Sequence, residues 1–259
     1  MSVLRVHGLT LGYGRGEPVL ADLDLTVRAG QFASLVGPSG SGKTSVLRAV
    51  TGLQRAQAGV MDLAVAQQEV GFLFQDDALL PWRTARQNVA LGLRIRGTPK
   101  AAALEQAEEW LARLGLAGFG GRFPRQLSGG QRKRVAIAQV LALRPRLLLM
   151  DEPFASLDAI VRTRVTQDLL DLVEREGISV LLVTHDLEEA IALSDVVHVL
   201  SNGPRARILA SRPVPIPRPR ELVATRGHAA FAPLLRQLWR DLEGASAPAA
   251  GRLPEAVAA

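Results

Sequence analysis

The chain has 259 residues, 47% of them hydrophobic and 22% charged, enough to bury one full core with a small lobe attached. It contains no cysteine, which excludes disulfides and cysteine-based zinc sites and suits a reducing compartment. The formal net charge of +6 is unevenly placed: after residue 204 nine arginines face four acids, so that region carries +5. A basic tail of Pro and Arg with few aromatics reads as a solvated or membrane-facing segment, and no nucleic-acid partner is expected.

In chain order, the N-terminal MSVLRVHGLTLGYG lacks the unbroken apolar core of a signal peptide, and no later stretch reaches the ~18 uncharged apolar residues of a membrane span. Alternating apolar residues predict strands over 3–9 and 19–27, separated by a glycine-rich turn. A buried strand over 31–36 runs into a glycine loop, with a helix expected from 44 to 51. Short strands are predicted over 60–63 and 70–74. From 81 to 116 the pattern turns helical, with Leu104, Ala107, Leu111 and Leu114 on one face. A further helix is expected from Ser128 to near Arg144-Pro145, where proline cannot continue it. Strand signals return over 147–151, 179–184 and 196–201. Between the first two of these, Val161, Val165, Leu169 and Val173 line one helix face. Strands alternating with helices predict a largely parallel sheet covered on both faces. The helical stretch 81–134 reads as an inserted lobe within a domain spanning 1–210. Residues 211–242 read as a Pro-rich linker and a short amphipathic helix bearing Phe231, Leu234, Leu235, Leu238 and Trp239. The small-residue run 243–259 is expected to be disordered.

Gly37-Pro38-Ser39-Gly40-Ser41-Gly42-Lys43-Thr44 fits G-x-x-x-x-G-K-[ST], the P-loop of nucleotide-binding proteins. Glycines let successive backbone N–H groups approach a phosphate, and the following helix adds its positive end. Lys43 supplies an ammonium for the β- and γ-phosphates, and the Thr44 hydroxyl suits Mg²⁺. The apolar strand Leu147-Leu148-Leu149-Met150 ends in Asp151 and Glu152. At the sheet's C-terminal edge Asp151 would hold Mg²⁺, and Glu152 would polarise the attacking water as general base. Alone, such a strand is commonly one that simply meets solvent; beside a P-loop it indicates a P-loop NTPase and no more than that.

Leu127-Ser128-Gly129-Gly130-Gln131 resembles the signature of the ABC (ATP-binding cassette) ATPases. Ser128 is a good N-cap, and the glycines leave helix-terminal N–H groups bare, forming a second anion site in the same chain. The family resemblance covers residues 3 to about 210 and implies a head-to-tail dimer in which each signature, Ser128 to Gln131, caps the ATP on the partner's P-loop. By the same resemblance Tyr13 stacks on adenine, although it could equally be a half-buried strand residue. Gln75 supplies an amide to Mg²⁺ and the lytic water, Ser156-Leu157-Asp158 couples the two sites, and His185 contacts the γ-phosphate.

Segments 76–84 and 151–158, with the Pro-Arg tail, resemble importer ATPases of the nitrate, taurine and alkanesulfonate group. Two features depart from that pattern: a short 59–70 stretch without an Asp-Gly turn, and Gln139 where arginine is common. The resemblance implies separate permease subunits, a periplasmic or extracellular solute-binding protein, and a peripheral location on the cytoplasmic face of the membrane. Leu79, Leu80 and Trp82 are candidate permease contacts; alternatively they pack the lobe's own core. A soluble ABC ATPase acting on DNA or ribosomes is the other reading. It is disfavoured because the chain has no sustained heptads and a single P-loop.

Overall fold

The structure is a computed structural model that describes residues 1–14 and 16–246. Two sheets organise it. Strands β1 (Ser2–Leu11), β2 (Leu20–Arg28) and β4 (Ala58–Leu63) form an antiparallel sheet in the order β2-β1-β4. The larger sheet runs β5-β6-β7-β3-β8-β9 and contains β3 (Phe32–Val36), β5 (Val70–Leu73), β6 (Leu147–Asp151), β7 (Ser179–Val183), β8 (Val196–Leu200) and β9 (Ile208–Pro213). Neighbouring strands from β5 to β8 are parallel, and β9 pairs antiparallel to β8.

The near-continuous apolar runs of β3, β6 and β7 follow from burial on both faces. Leu35, Leu147, Leu149, Leu181 and Val183 face the antiparallel sheet and helix α1 (Lys43–Val50). Val36, Leu148, Met150, Val180 and Leu182 face a second core shared with the remaining helices. Between β5 and β6 the chain forms α2 (Ala85–Ile95), α3 (Lys100–Arg113) and α4 (Gly129–Leu141), the stretch read as a lobe. On α3 and just beyond it, Ala107, Leu111 and Leu114 are buried as their spacing predicts. Helix α5 (Ala159–Glu176) buries Val165, Leu169 and Val173 and ends at Gly177 in the left-handed conformation (φ 65°). Helix α6 (Leu187–Leu193) lies between β7 and β8 in sequence, and α7 (Leu222–Arg226) and α8 (Phe231–Ser246) close the described chain.

The C-terminal region differs from expectation in three ways. The domain end placed at 210 falls inside β9, so the start of the predicted linker is a strand paired with β8. The rest of the Pro-rich segment is anchored at intervals: Val214, Ile216 and Arg220 are buried, while Pro215, Pro217, Arg218 and Pro219 between them are exposed. Helix α8 also extends through 243–246, part of the expected disordered tail, whose remainder, 247–259, lies outside the described residues.

The tail arginines are not simply a solvated or membrane-facing set either. Arg212 makes a two-pronged bond to Asp241, with both contacts at 2.8 Å. Arg218 binds Asp195 in the same way, at 3.1 and 2.7 Å. Buried Arg220 donates to the Ser194 and Ile216 carbonyls and reaches Asp195 at 3.3 Å. Arg226 pairs with Glu188 of α6 at 3.4 Å. Long-range acids thus fasten the tail to the sheet and to α6, an arrangement that local composition does not reveal.

Candidate functional site

The P-loop connects β3 directly to α1, as its motif requires. Gly40 (φ 78°) and Gly42 (φ 91°) both take left-handed backbone, which a side chain would strain, and the chain turns sharply into the helix. The Lys43 ammonium is buried and donates to the carbonyls of Gly37 and Pro38 at 2.8 and 2.9 Å. Burial pushes its pKa down, and Glu152 and Asp151 oppose that shift. Ser41 Oγ donates to the Pro38 carbonyl at 2.8 Å, closing the loop on itself.

Thr44 Oγ1 donates to Asp151 Oδ1 at 3.0 Å, so the first turn of α1 meets the end of β6. Burial raises the Asp151 pKa; the Thr44 hydroxyl opposes this, nearby Glu152 adds to it, and Arg48 and Lys43 oppose it. Glu152 follows with φ 43°, a left-handed conformation that costs a non-glycine residue ~1–3 kcal/mol. Its N–H donates to the Val183 carbonyl of adjacent β7 at 2.9 Å, so the turn is held by the sheet. His185, two residues past β7, brings Nδ1 to 3.0 Å from Glu152 Oε2. Behind this pair is a cavity of about 50 Å³ that also reaches Arg162, Thr184 and Glu189.

Tyr13 lies beyond β1 and is 59% exposed, which removes the half-buried-strand alternative. Its hydroxyl is 2.8 Å from Ser45 Oγ in α1, immediately after the P-loop. Gln75 lies two residues past β5 with an exposed side chain. Pro38 and Ser39 complete the loop, Ser39 exposed at its tip. Adjacent strand ends therefore bring the P-loop, Asp151, Glu152 and His185 to one edge, where ligands bind in open α/β sheets.

The signature forms a separate helix terminus. Ser128 Oγ accepts from Gln131 N–H at 3.3 Å, and Gln131 Oε1 accepts from Ser128 N–H at 2.9 Å, a reciprocal capping box. Ser128 is exposed. A Cβ built on Gly129 would meet nothing nearer than 3.8 Å, whereas one on Gly130 would sit 2.3 Å from Val161 Cγ1. Gly130 therefore has a packing reason that the motif reading missed: it lets α4 approach α5.

Two further residues escaped the sequence reading. Buried Asn88 on α2 accepts from Leu80 N–H at 2.7 Å and donates to the carbonyls of Leu80, Arg83 and Thr84. An asparagine among the buried Ala85, Val89 and Ala90 was the available signal. Lys133 on α4 has no exposed side-chain surface and reaches Gln75 and Asp77. Its number in a nearly lysine-free sequence was the corresponding clue. Trp82 is 71% exposed, so the alternative that it packs the lobe core does not hold, while Leu79 packs partly against that core. A cavity of about 620 Å³ between β2 and β8 has a mixed lining of apolar residues such as Leu25 and Val196 and polar ones, several of them bonded within the protein, although the buried Nε2 of His198 has no partner among the described residues. Of the polar ones, Asp24 binds His7 and Gly8, and Asp195 binds Arg218.

A phosphate-cradling loop between a central strand and its helix, facing two acids at the end of β6 two strands away, defines a P-loop nucleotide-binding ATPase. The family model for ABC transporters matches residues 20–155. The chain is 43% identical over 217 residues to the taurine import ATP-binding protein TauB of Escherichia coli, covering 82% of this chain and 84% of that protein. It is also 43% identical over 237 residues to an aliphatic sulfonates import ATP-binding protein of Rhodococcus jostii, covering 92% and 93%. A dimeric ATP-binding cassette solved in a post-hydrolysis state with ADP and Pi matches with a TM-score of 0.71 at 29% identity, over 82% of this chain and 98% of that one. The chain belongs to the ABC transporter family and is an ATP-hydrolysing subunit of it. Among the described residues, no helix is long and apolar enough to cross a membrane.

Proposed function

We propose that this chain powers uptake of a small sulfonate-, taurine- or nitrate-like solute through separate permease subunits, working as a pair of ATPase copies on the cytoplasmic face of the membrane. A periplasmic or extracellular binding protein would deliver the solute. The observation that carries the reading is the convergence of Lys43, Thr44, Asp151, Glu152 and His185 at one sheet edge. Names of relatives in taurine and sulfonate import support the solute class.

The donor chemistry fits Mg²⁺: the Thr44 hydroxyl and Asp151 carboxylate meet at 3.0 Å, and a hard cation takes oxygen ligands from one or two carboxylates plus substrate phosphates. Thr44, Asp151 and the Gln75 amide would hold the ion. When bound, it neutralises charge on the β- and γ-phosphates. Lys43 and the loop N–H groups of Gly37 to Gly42 orient the triphosphate. Glu152, aimed by its strained backbone and by His185, takes the proton from the attacking water. Ser128 to Gln131 of the second copy would close over the γ-phosphate, with Gly129 leaving room for it.

Trp82, with Leu79 and Leu80 beside it, would form the permease contact, on a loop whose shape Asn88 holds. The test is Trp82→Ala, co-expressed with its permease subunits. The isolated variant should stay folded with its ATP turnover intact, while permease association weakens at least about tenfold, because a tryptophan at an interface centre contributes ~2 kcal/mol or more. Undiminished co-purification, or a melting temperature lowered as by a core Trp→Ala of ~3–5 kcal/mol, would refute the docking assignment.

A further inference from the structure

We infer that Lys133 is a positioning residue for Gln75: from inside the helix that begins at the signature, its ammonium holds the backbone of the loop that presents the Gln75 amide. The inference rests on the reading that this amide serves the metal ion and the attacking water.

Lysine is almost never fully buried unless it is paired. The chain has only three lysines, yet one is spent here, with none of its side chain exposed. Its Nζ lies 2.9 Å from Asp77 Oδ1 and donates to the Gln75 carbonyl oxygen at 3.1 Å. Asp77 keeps 20% of its side chain exposed and has a second cation, Arg132, with Nε at 3.5 Å. Asp77 therefore does not depend on Lys133 alone for compensation. A buried ion pair is in any case weak evidence of a stabilising role, since apolar replacements are often neutral.

The bond to the Gln75 carbonyl gives the lysine a purpose that the ion pair lacks. Gln75 stands two residues beyond the last strand residue of β5, at the start of the loop that runs to Trp82. A compact ammonium on a flexible stem can serve a carbonyl and a carboxylate together, where a planar guanidinium is constrained by its fork. Both bonds originate five residues after Ser128, on α4, so the Gln75 loop is fastened to the signature helix.

A double-mutant cycle on ATP turnover tests this, using Lys133→Met, Gln75→Ala and the double variant, each with a Mg²⁺ titration and a thermal melt. Misplacing a reacting-site group by about 1 Å can cost ~10²-fold, so loosening its anchor should lower kcat about tenfold. KM for ATP should stay within about twofold, because the P-loop is untouched, and half-maximal activity should need more Mg²⁺. In the Gln75→Ala background the same lysine change should cost less than about twofold, since its target is gone. Lys133→Gln, which keeps an N–H donor, should recover most of the loss.

Equal losses in both backgrounds would make Lys133 merely structural and overturn the inference, as would wild-type kcat in a folded Lys133→Met. Wild-type kcat in Gln75→Ala would overturn the reading of Gln75 itself and the inference with it. If Lys133→Met melts below the assay temperature, Lys133→Arg takes its place in the cycle, because it keeps a cation for Asp77 while its planar fork is poorly suited to serve the Gln75 carbonyl as well, and the same outcomes decide.

Discussion

Gly130→Ala separates what packing requires of the signature helix from what nucleotide binding requires. The new methyl would lie 2.3 Å from Val161 Cγ1 and 3.7 Å from Val161 Cβ, so α4 or α5 must shift by about 1 Å. Val161 cannot turn aside cheaply, because in a helix valine keeps ~90% of its population in one χ1 rotamer. Overpacking of this kind costs ~1–3 kcal/mol, and the helix propensity gained on replacing glycine by alanine returns at most ~1 kcal/mol. We expect a net loss of about 1 kcal/mol, or about 2–4 °C in melting temperature for a domain of this size. Gly129→Ala, with nothing nearer than 3.8 Å, should melt at or slightly above the wild-type temperature and yet lose ATP turnover in the dimer. Adding Val161→Ala to Gly130→Ala should recover most of the lost stability. Differential scanning fluorimetry of the four proteins is sufficient. A Gly130→Ala protein as stable as wild type, or one that Val161→Ala fails to rescue, would refute the packing argument.

Glu152→Gln should bind nucleotide normally, lower hydrolysis by ~10²-fold or more, and accumulate an ATP-bound dimer on gel filtration with Mg-ATP; hydrolysis at the wild-type rate would remove Glu152 from the mechanism. Partly buried Glu189 has its pKa pushed up to about 7 by desolvation of its carboxyl, opposed by the Thr184 hydroxyl, raised further by Asp186, and lowered by Arg162 and His185. The folded state then holds a proton that the unfolded chain loses above its ordinary pKa of 4.5, so this contribution is full below pH 4.5 and is lost as pH rises through 7. Glu189→Gln should flatten the fall in stability between pH 5 and 8 and raise stability at pH 8 by up to about 3 kcal/mol, seen as a higher melting temperature there; parallel pH profiles of variant and wild type would contradict this.

Much of the site could be read from contiguous residues because its pieces are contiguous. The P-loop is one strand, one turn and one helix, and Asp151 and Glu152 end an apolar run whose length and composition mark a buried parallel strand. Even the signature's capping box is local, spanning Ser128 to Gln131. The tail was misread for the opposite reason. A run of Pro and Arg has no periodicity, and its arginines are satisfied by Asp195, Glu174 and Glu188, which lie tens of residues earlier in the chain.

Sequence alone was enough to single out the candidates: a loop able to hold a phosphate, acids able to meet a cation and water, and the alternation that makes the sheet parallel. Each depends on short-range sterics and on the two-residue and 3.6-residue periods of the backbone. Tertiary structure alone decided that β1, β2 and β4 form a second sheet, that Gly130 makes room for Val161, and that Lys133 reaches back to Gln75. Those outcomes depend on which distant surfaces meet at van der Waals distance and which buried charge finds a partner. No spacing along the chain encodes either.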